Sequence, residues 1–149
     1  MNDKQLQIVN FEQAKRLKAA GFNREVLHYY TLATFIDKKK YPDEIRLFSG
    51  GKPQNHNSEN VITNFDEIIS APTVALALKW FRNVKEIHNG IRYDFESEDG
   101  VRIDKWGYRY EYTKWIGSGN GISNGGFHNT YEAAESSLLD ELLTLIETQ

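Results

Sequence analysis

Ile69-Ser70-Ala71-Pro72-Thr73-Val74-Ala75-Leu76-Ala77-Leu78-Lys79-Trp80-Phe81-Arg82-Asn83-Val84 is the stretch on which the reading of the chain turns. Pro72 suits the first turn of a helix, where its missing N–H has no intrahelical partner, and Ser70 or Thr73 can cap the start. At about 100° per residue, Val74, Leu76, Ala77, Leu78, Trp80, Phe81, Val84 and Ile87 occupy more than half of the helix circumference. Lys79, Arg82, Asn83 and Glu86 share the remaining sector. A helix this apolar needs neighbours on more than one side, so it reads as the central helix of a packed domain.

Upstream of it, Asn10 and Gln13 have the spacing of a capping box, and Val9 with Ala14 that of a hydrophobic staple. Phe11, Ala14 and Leu17 line one helical face until Gly21 supplies a left-handed stop, with Phe22 able to fold back. Val26 to Ile36 reads as a strand, Lys38 to Asp43 as a turn and Glu44 to Phe48 as the returning strand. Ser49-Gly50-Gly51-Lys52-Pro53 should stop that strand. Gln54 to Asn60 reads as a mobile polar loop, joined to the central helix through Val61-Ile62-Thr63 and Phe65 to Ile69.

Downstream, Asn89-Gly90 is a turn, Ile91 to Ser97 alternates like a strand, and Glu98-Asp99-Gly100 marks a hairpin. The returning strand starts at Val101 and is expected to break or turn near Trp106-Gly107 before Tyr108 to Ile116. Gly117 to Gly126 reads as a flexible loop. Asn129 or Thr130 caps a last helix striped by Tyr131, Ala134, Leu138, Leu142 and Leu145. The order is α-β-β-α-β-β-(β)-α, which predicts an α+β fold with antiparallel strands packed on helices, as a single domain over residues 1–149.

With 149 residues, 40% apolar and 26% charged, the composition is that of an ordinary globular domain. No apolar run reaches the roughly 20 residues of a membrane span, the N-terminus lacks a signal-peptide core, and there is no cysteine. A cytoplasmic location is the resulting expectation, without membrane contact. The net charge of −3 is uneven: residues 1–114 hold all 18 basic side chains against 16 acidic ones. The tail carries only acids, and Glu132, Glu135, Asp140 and Glu141 on the last helix offer an acidic surface to a protein partner.

The Ala71-Pro72-Thr73 start, Lys79-Trp80 and Ile87-His88 resemble a pattern in small proteins encoded by phages, prophages and mobile elements of gut Bacteroidetes. Thr130-Tyr131-Glu132-Ala133-Ala134 and the opening Asn10-Phe11-Glu12-Gln13-Ala14 with Leu17 and Gly21-Phe22 are similar as well. The resemblance implies an accessory gene product acting inside a bacterial cell. It implies no activity.

No motif calls for a catalytic residue, cofactor or metal. Gly117 and Gly119 begin a G-x-G-x-x-G, but Ile122 stands at its third glycine, and the lysine of a Walker loop is missing. His28, His56, His88 and His128 have no metal-ligand spacing. Asp94, Glu96, Glu98, Asp99 and Asp104 cluster about a turn, where solvated charge is normal. An enzyme is therefore the third reading, open only to a site assembled from scattered residues.

Trp106, Tyr108, Tyr110 and Tyr112 alternate, so an unbroken strand places them on one face. Such a face can stack nucleobases or form the core under helices, and helical cover is the expectation. The second reading is nucleic-acid binding, through Lys38, Lys39, Lys40 and Tyr41 or through Tyr108, Tyr110 and Tyr112. A helix, three strands and a helix also describe the double-stranded RNA-binding fold, but His128 to Leu143 lacks the basic residues that anchor phosphates there. The leading reading is a macromolecule-binding module with a protein partner.

Overall fold

A computed structural model describes residues 7–34, 39–40, 42–58, 67–98, 101–116 and 119–149. The fold is α+β: among these residues, three helices accompany six antiparallel strands in two three-stranded sheets. Two compact units divide the chain, residues 1–73 and 74–149. The boundary falls between Thr73 and Val74, at the start of the apolar helix.

The first unit comprises α1 (Phe11–Ala19), β1 (Val26–Ala33), β2 (Glu44–Gln54) and β3 (Glu67–Ser70), with sheet order β2-β1-β3. Helix α1 starts and stops where its sequence dictates. The Gln13 N–H donates to Asn10 Oδ1 at 2.9 Å and the Asn10 N–H to Gln13 Oε1 at 3.1 Å, a reciprocal capping box. At the other end Gly21 takes φ +90°, the Phe22 N–H reaches Leu17 O and the Gly21 N–H reaches Lys18 O, both at 3.0 Å. This is a Schellman closure; Phe22 is buried, as are Val9, Ala14, Leu17, Val26 and Ile69 of the same unit.

Three sequence expectations change in this unit, the first being that Ser49 to Pro53 does not stop the returning strand, which runs on to Gln54. Ile69-Ser70 does not lead into a helix but ends β3, paired with Tyr30 and Tyr29 of β1. Pro72 lies ahead of the next helix, and its carbonyl accepts the Val9 N–H at 3.0 Å. The segment beginning at Gln54, read as mobile, is tied down wherever it is described; Glu59 and Asn60 lie outside the described residues. Gln54 belongs to β2. Asn57 donates to Phe22 O and accepts the Ser70 N–H, each at 2.9 Å, so one side chain joins the exit of α1 to β3. His56 is buried against the Tyr29 ring, centroids 4.5 Å apart. Burial holds its pKa below the ordinary histidine value, against a hydrogen bond with the Val26 backbone.

The second unit comprises α2 (Val74–Val84), β4 (His88–Glu98), β5 (Val101–Ile116), β6 (Gly119–His128) and α3 (Tyr131–Glu147), with the strands adjacent in chain order. Helix α2 packs on α3 and β4 and buries Val74, Ala77, Leu78, Trp80 and Phe81. Val84, expected in the apolar arc, is exposed, because the helix ends there. Glu86 then takes φ +56°, and Ile87 returns to the core with its N–H on Phe81 O at 3.1 Å. Thr130 caps α3 by accepting the Ala133 N–H at 3.1 Å, and Leu138, Leu139, Leu142 and Leu143 are fully buried.

The hairpin forms at Glu98↔Val101 as its sequence predicts. Strand β5, however, runs unbroken through Trp106-Gly107, and the glycine-rich stretch is not a loop where it is described: Gly119 onward is β6. Gly117 and Ser118 lie outside the described residues. The physical reason is steric. A Cβ at Gly125 would fall inside the Tyr110 ring, and one at Gly107 would collide with the Phe127 ring and the His128 carbonyl. The glycines make room for rings from the neighbouring strand, and the register shift opposite Tyr110 places Gly125-Gly126 in a bulge.

Trp80 is 2% exposed and meets Phe81 edge-on, centroids 5.2 Å apart. Trp80→Ala is expected to cost roughly 3–5 kcal/mol, read as a lower urea midpoint. An unchanged midpoint would remove α2 from the core of this unit.

Candidate functional site

The alternation of β4 and β5 sorts side chains onto two faces. In register, Tyr93 stands opposite Tyr108 and Phe95 opposite Trp106, while the intervening Arg92 and Asp94 pair with Arg109 and Gly107 on the reverse. Five rings therefore touch in a row along one face. Tyr131 at the start of α3 meets Tyr108 edge-on at 5.8 Å, and Tyr108 meets Tyr93 at 5.2 Å. Tyr93 stacks on Trp106 at 5.6 Å with an interplanar angle of 18°, and Trp106 meets Phe95 at 5.7 Å. Tyr131 is 44% exposed, Tyr93 61% and Trp106 47%. Tyr108 and Phe95 are half-buried between and beside them, and three exposed large rings joined in one row depart, among the described residues of the second unit, from ordinary surface chemistry.

Helix α3 covers the rest of that face, as expected from sequence. Tyr112 is buried and donates to Glu141 Oε1 at 3.1 Å. Tyr110 is half-buried over Gly125 and stacks on His128 at 5.8 Å. Neither ring offers an open stacking plane. Of the three tyrosines selected from sequence, Tyr108 alone contributes to the exposed row. Tyr93 and Phe95 were not selected, although Ile91, Tyr93 and Phe95 alternate. Their pairing partners depend on a register shift between Phe95 and Ser97 that no turn motif announces.

The basic side chains described on this sheet lie on the reverse face and are engaged there. Arg92 is 3.3 Å from Asp94 and 3.9 Å from Glu111, and Arg109 is 3.7 Å from Asp94. Lys105 and Arg109 sit over the Phe127 ring at 5.1 and 5.7 Å. In the first unit, Lys39 and Lys40 are exposed in a turn; Lys38 and Tyr41 lie outside the described residues.

The acidic surface proposed on α3 is smaller than its sequence suggests. Glu132, Asp140 and Glu141 are exposed, but Glu135 is buried. It shares an i, i+3, i+7 stripe with Leu138 and Leu142, which faces protein on two sides because α3 packs on both the sheet and α2. Glu135 lines a cavity of about 130 Å³ with Tyr131, Arg82, Asn89 and Leu78. Asn89 donates to Leu78 O and Ile87 O at 3.2 and 3.1 Å and accepts from Arg82 Nη1 at 2.7 Å. Burial, reinforced by Glu132, pushes the Glu135 carboxyl above the usual carboxylate range, against the hydrogen bond from the Tyr131 hydroxyl. A guanidinium and a carboxyl bordering a small cavity can orient a polar group. The lining contains no serine, threonine or histidine to act as nucleophile or base beside them.

Among the described residues no cluster of three or more His, Asp or Glu is placed to hold a metal ion, and no helix is long and apolar enough to cross a membrane. No protein family, curated protein or solved structure matches the chain.

A carboxyl whose folded-state pKa is raised contributes stability below its unfolded value, and that contribution is lost as pH rises through the folded one. Glu135 is therefore expected to lower stability between about pH 4.5 and neutrality, and Glu135→Gln to remove that fall. Urea midpoints measured across this range check it. Parallel pH profiles for the two proteins would show that Glu135 is as well solvated folded as unfolded.

Proposed function

We propose that the protein is a non-catalytic binding module whose partner is another protein, held on the ring row Tyr131–Tyr108–Tyr93–Trp106–Phe95. The exposed, mutually packed rings carry this reading. Tyr and Trp supply large rigid contact area at little entropic cost and are the residues that most often anchor protein interfaces. The charge arrangement favours a protein over a nucleic acid. Phosphates need cations beside the stacking rings, whereas Arg92, Arg109 and Lys105 project from the other face of the sheet. Glu132, exposed next to Tyr131, adds an acid at the α3 end of the row.

The setting proposed with it is the cytoplasm of a bacterial host, as an accessory product of a phage or mobile element. It rests on the resemblance carried by the Ala71-Pro72-Thr73 segment and the Thr130-Tyr131-Glu132 helix start.

Affinity capture from the host with the wild type, Trp106→Ala and a reverse-face Arg92→Ala control tests the reading. The wild type and Arg92→Ala should retain one partner after nuclease treatment. Trp106→Ala should weaken that partner by about 2 kcal/mol or more, the size of an interface hot spot. Nuclease-sensitive capture, or oligonucleotide binding near 0.15 M salt that Trp106→Ala abolishes, would put nucleic acid in the protein's place.

A further inference from the structure

Strand β2 of the first unit is an edge strand of 11 residues that pairs, among the described residues, with β1 alone. Its outer backbone groups are a template for another strand. The two halves differ. Lys52 and Pro53 blunt the distal half in the manner of natural edge strands, but Glu44 to Phe48 contains no lysine and no proline. Within that half Ile45 and Leu47 are each 48% exposed on one face. On the other, Arg46 Nε donates to Glu44 Oε1 at 2.8 Å, both side chains in solvent.

We propose that this half of β2 pairs antiparallel with β2 of a second copy, about a two-fold axis at Ile45. In that register Glu44 stands opposite the second copy's Arg46, and Arg46 opposite its Glu44, so charges alternate around a square on one face. On the other face Ile45 meets its own symmetry mate, flanked by Leu47 of each copy opposite Asp43 of the other. Charge fixes the register. A symmetric slip of the axis to Arg46 sets arginine against arginine, and a slip to Glu44 sets glutamate against glutamate; like charges directly opposite are unfavourable. Moving the axis by one residue keeps every side chain on its own face, and an axis at Arg46 would even set Ile45 against Leu47, so it is the charge pairing that selects the axis at Ile45. The patch is distinct from the ring row, which lies in the second unit.

Sedimentation equilibrium and cysteine cross-linking on the full chain test this together. The chain has no cysteine, so an introduced one reports a single position. The wild type should dimerise reversibly. Arg46→Glu should raise the dimer dissociation constant at least roughly tenfold, and the swap Glu44→Arg with Arg46→Glu should restore it. Ile45→Cys should form an interchain disulfide under mild oxidation. Ser49→Cys, whose counterpart lies about 8 residues or 26 Å further along the paired strands, should not. A monomer up to about 1 mM, a dimer indifferent to Arg46→Glu, a swap that fails to restore association, or equal cross-linking at the two positions would each overturn the proposal.

Discussion

Rings packed into the space left by glycines determine the architecture of the second unit. The Tyr110 ring occupies the position where Gly125 would carry a Cβ, and Phe127 does the same at Gly107. Each ring belongs to a strand adjacent to the glycine it covers, so the exchange fastens β5 to β6 in both directions. Without it, a stretch as glycine-rich as 119–126 gains little by pairing, since glycine loses the most backbone freedom on ordering. With it, β5 extends without a break from Val101 to Ile116. An unbroken strand keeps strict alternation, and alternation separates the tyrosines and Trp106 from Arg109, Lys105 and Glu111.

That separation has a functional consequence. A sheet with cations and rings on one face would suit a nucleic acid, because stacking and phosphate neutralisation would act together. Here Arg92 and Arg109 share Asp94 on the reverse face, and the rings emerge from beneath α3 with a glutamate beside them. The same covering helix explains why Tyr112 and Tyr93, whose register partner Tyr108 lies four residues before Tyr112 on β5, differ so much in exposure: α3 lies over the Tyr112 end and leaves the hairpin end open.

The parts legible in the sequence are those in which local chemistry suffices. The capping box at Asn10 and Gln13, the Gly21 stop, the Glu98-Asp99-Gly100 hairpin and the Thr130 cap each need only a few consecutive residues. The parts that were not legible depend on a partner distant in sequence. Gly119 to Gly126 has loop composition, and the role of Gly125 is visible only with the Tyr110 ring of β5 over it. Asn57 and His56 look like loop residues until Phe22, Ser70 and Tyr29 are beside them. Glu135 looks like a surface acid because a helix buried on two sides has a wider interior arc than its leucines mark. Of the ring row, Trp106 and Tyr108 could be selected by alternation, but their contacts with Tyr93 and Phe95 follow from a bulge that shifts the hairpin register.

Amide hydrogen exchange across residues 119–128, compared between the wild type and Gly125→Ala, tests the ring-in-glycine packing most directly. The account predicts protected amides over this segment in the wild type. It predicts loss of that protection in Gly125→Ala, where the added methyl displaces the Tyr110 ring at a cost of about 1–3 kcal/mol. Exchange at unfolded-chain rates in the wild type, or full protection retained in Gly125→Ala, would contradict it.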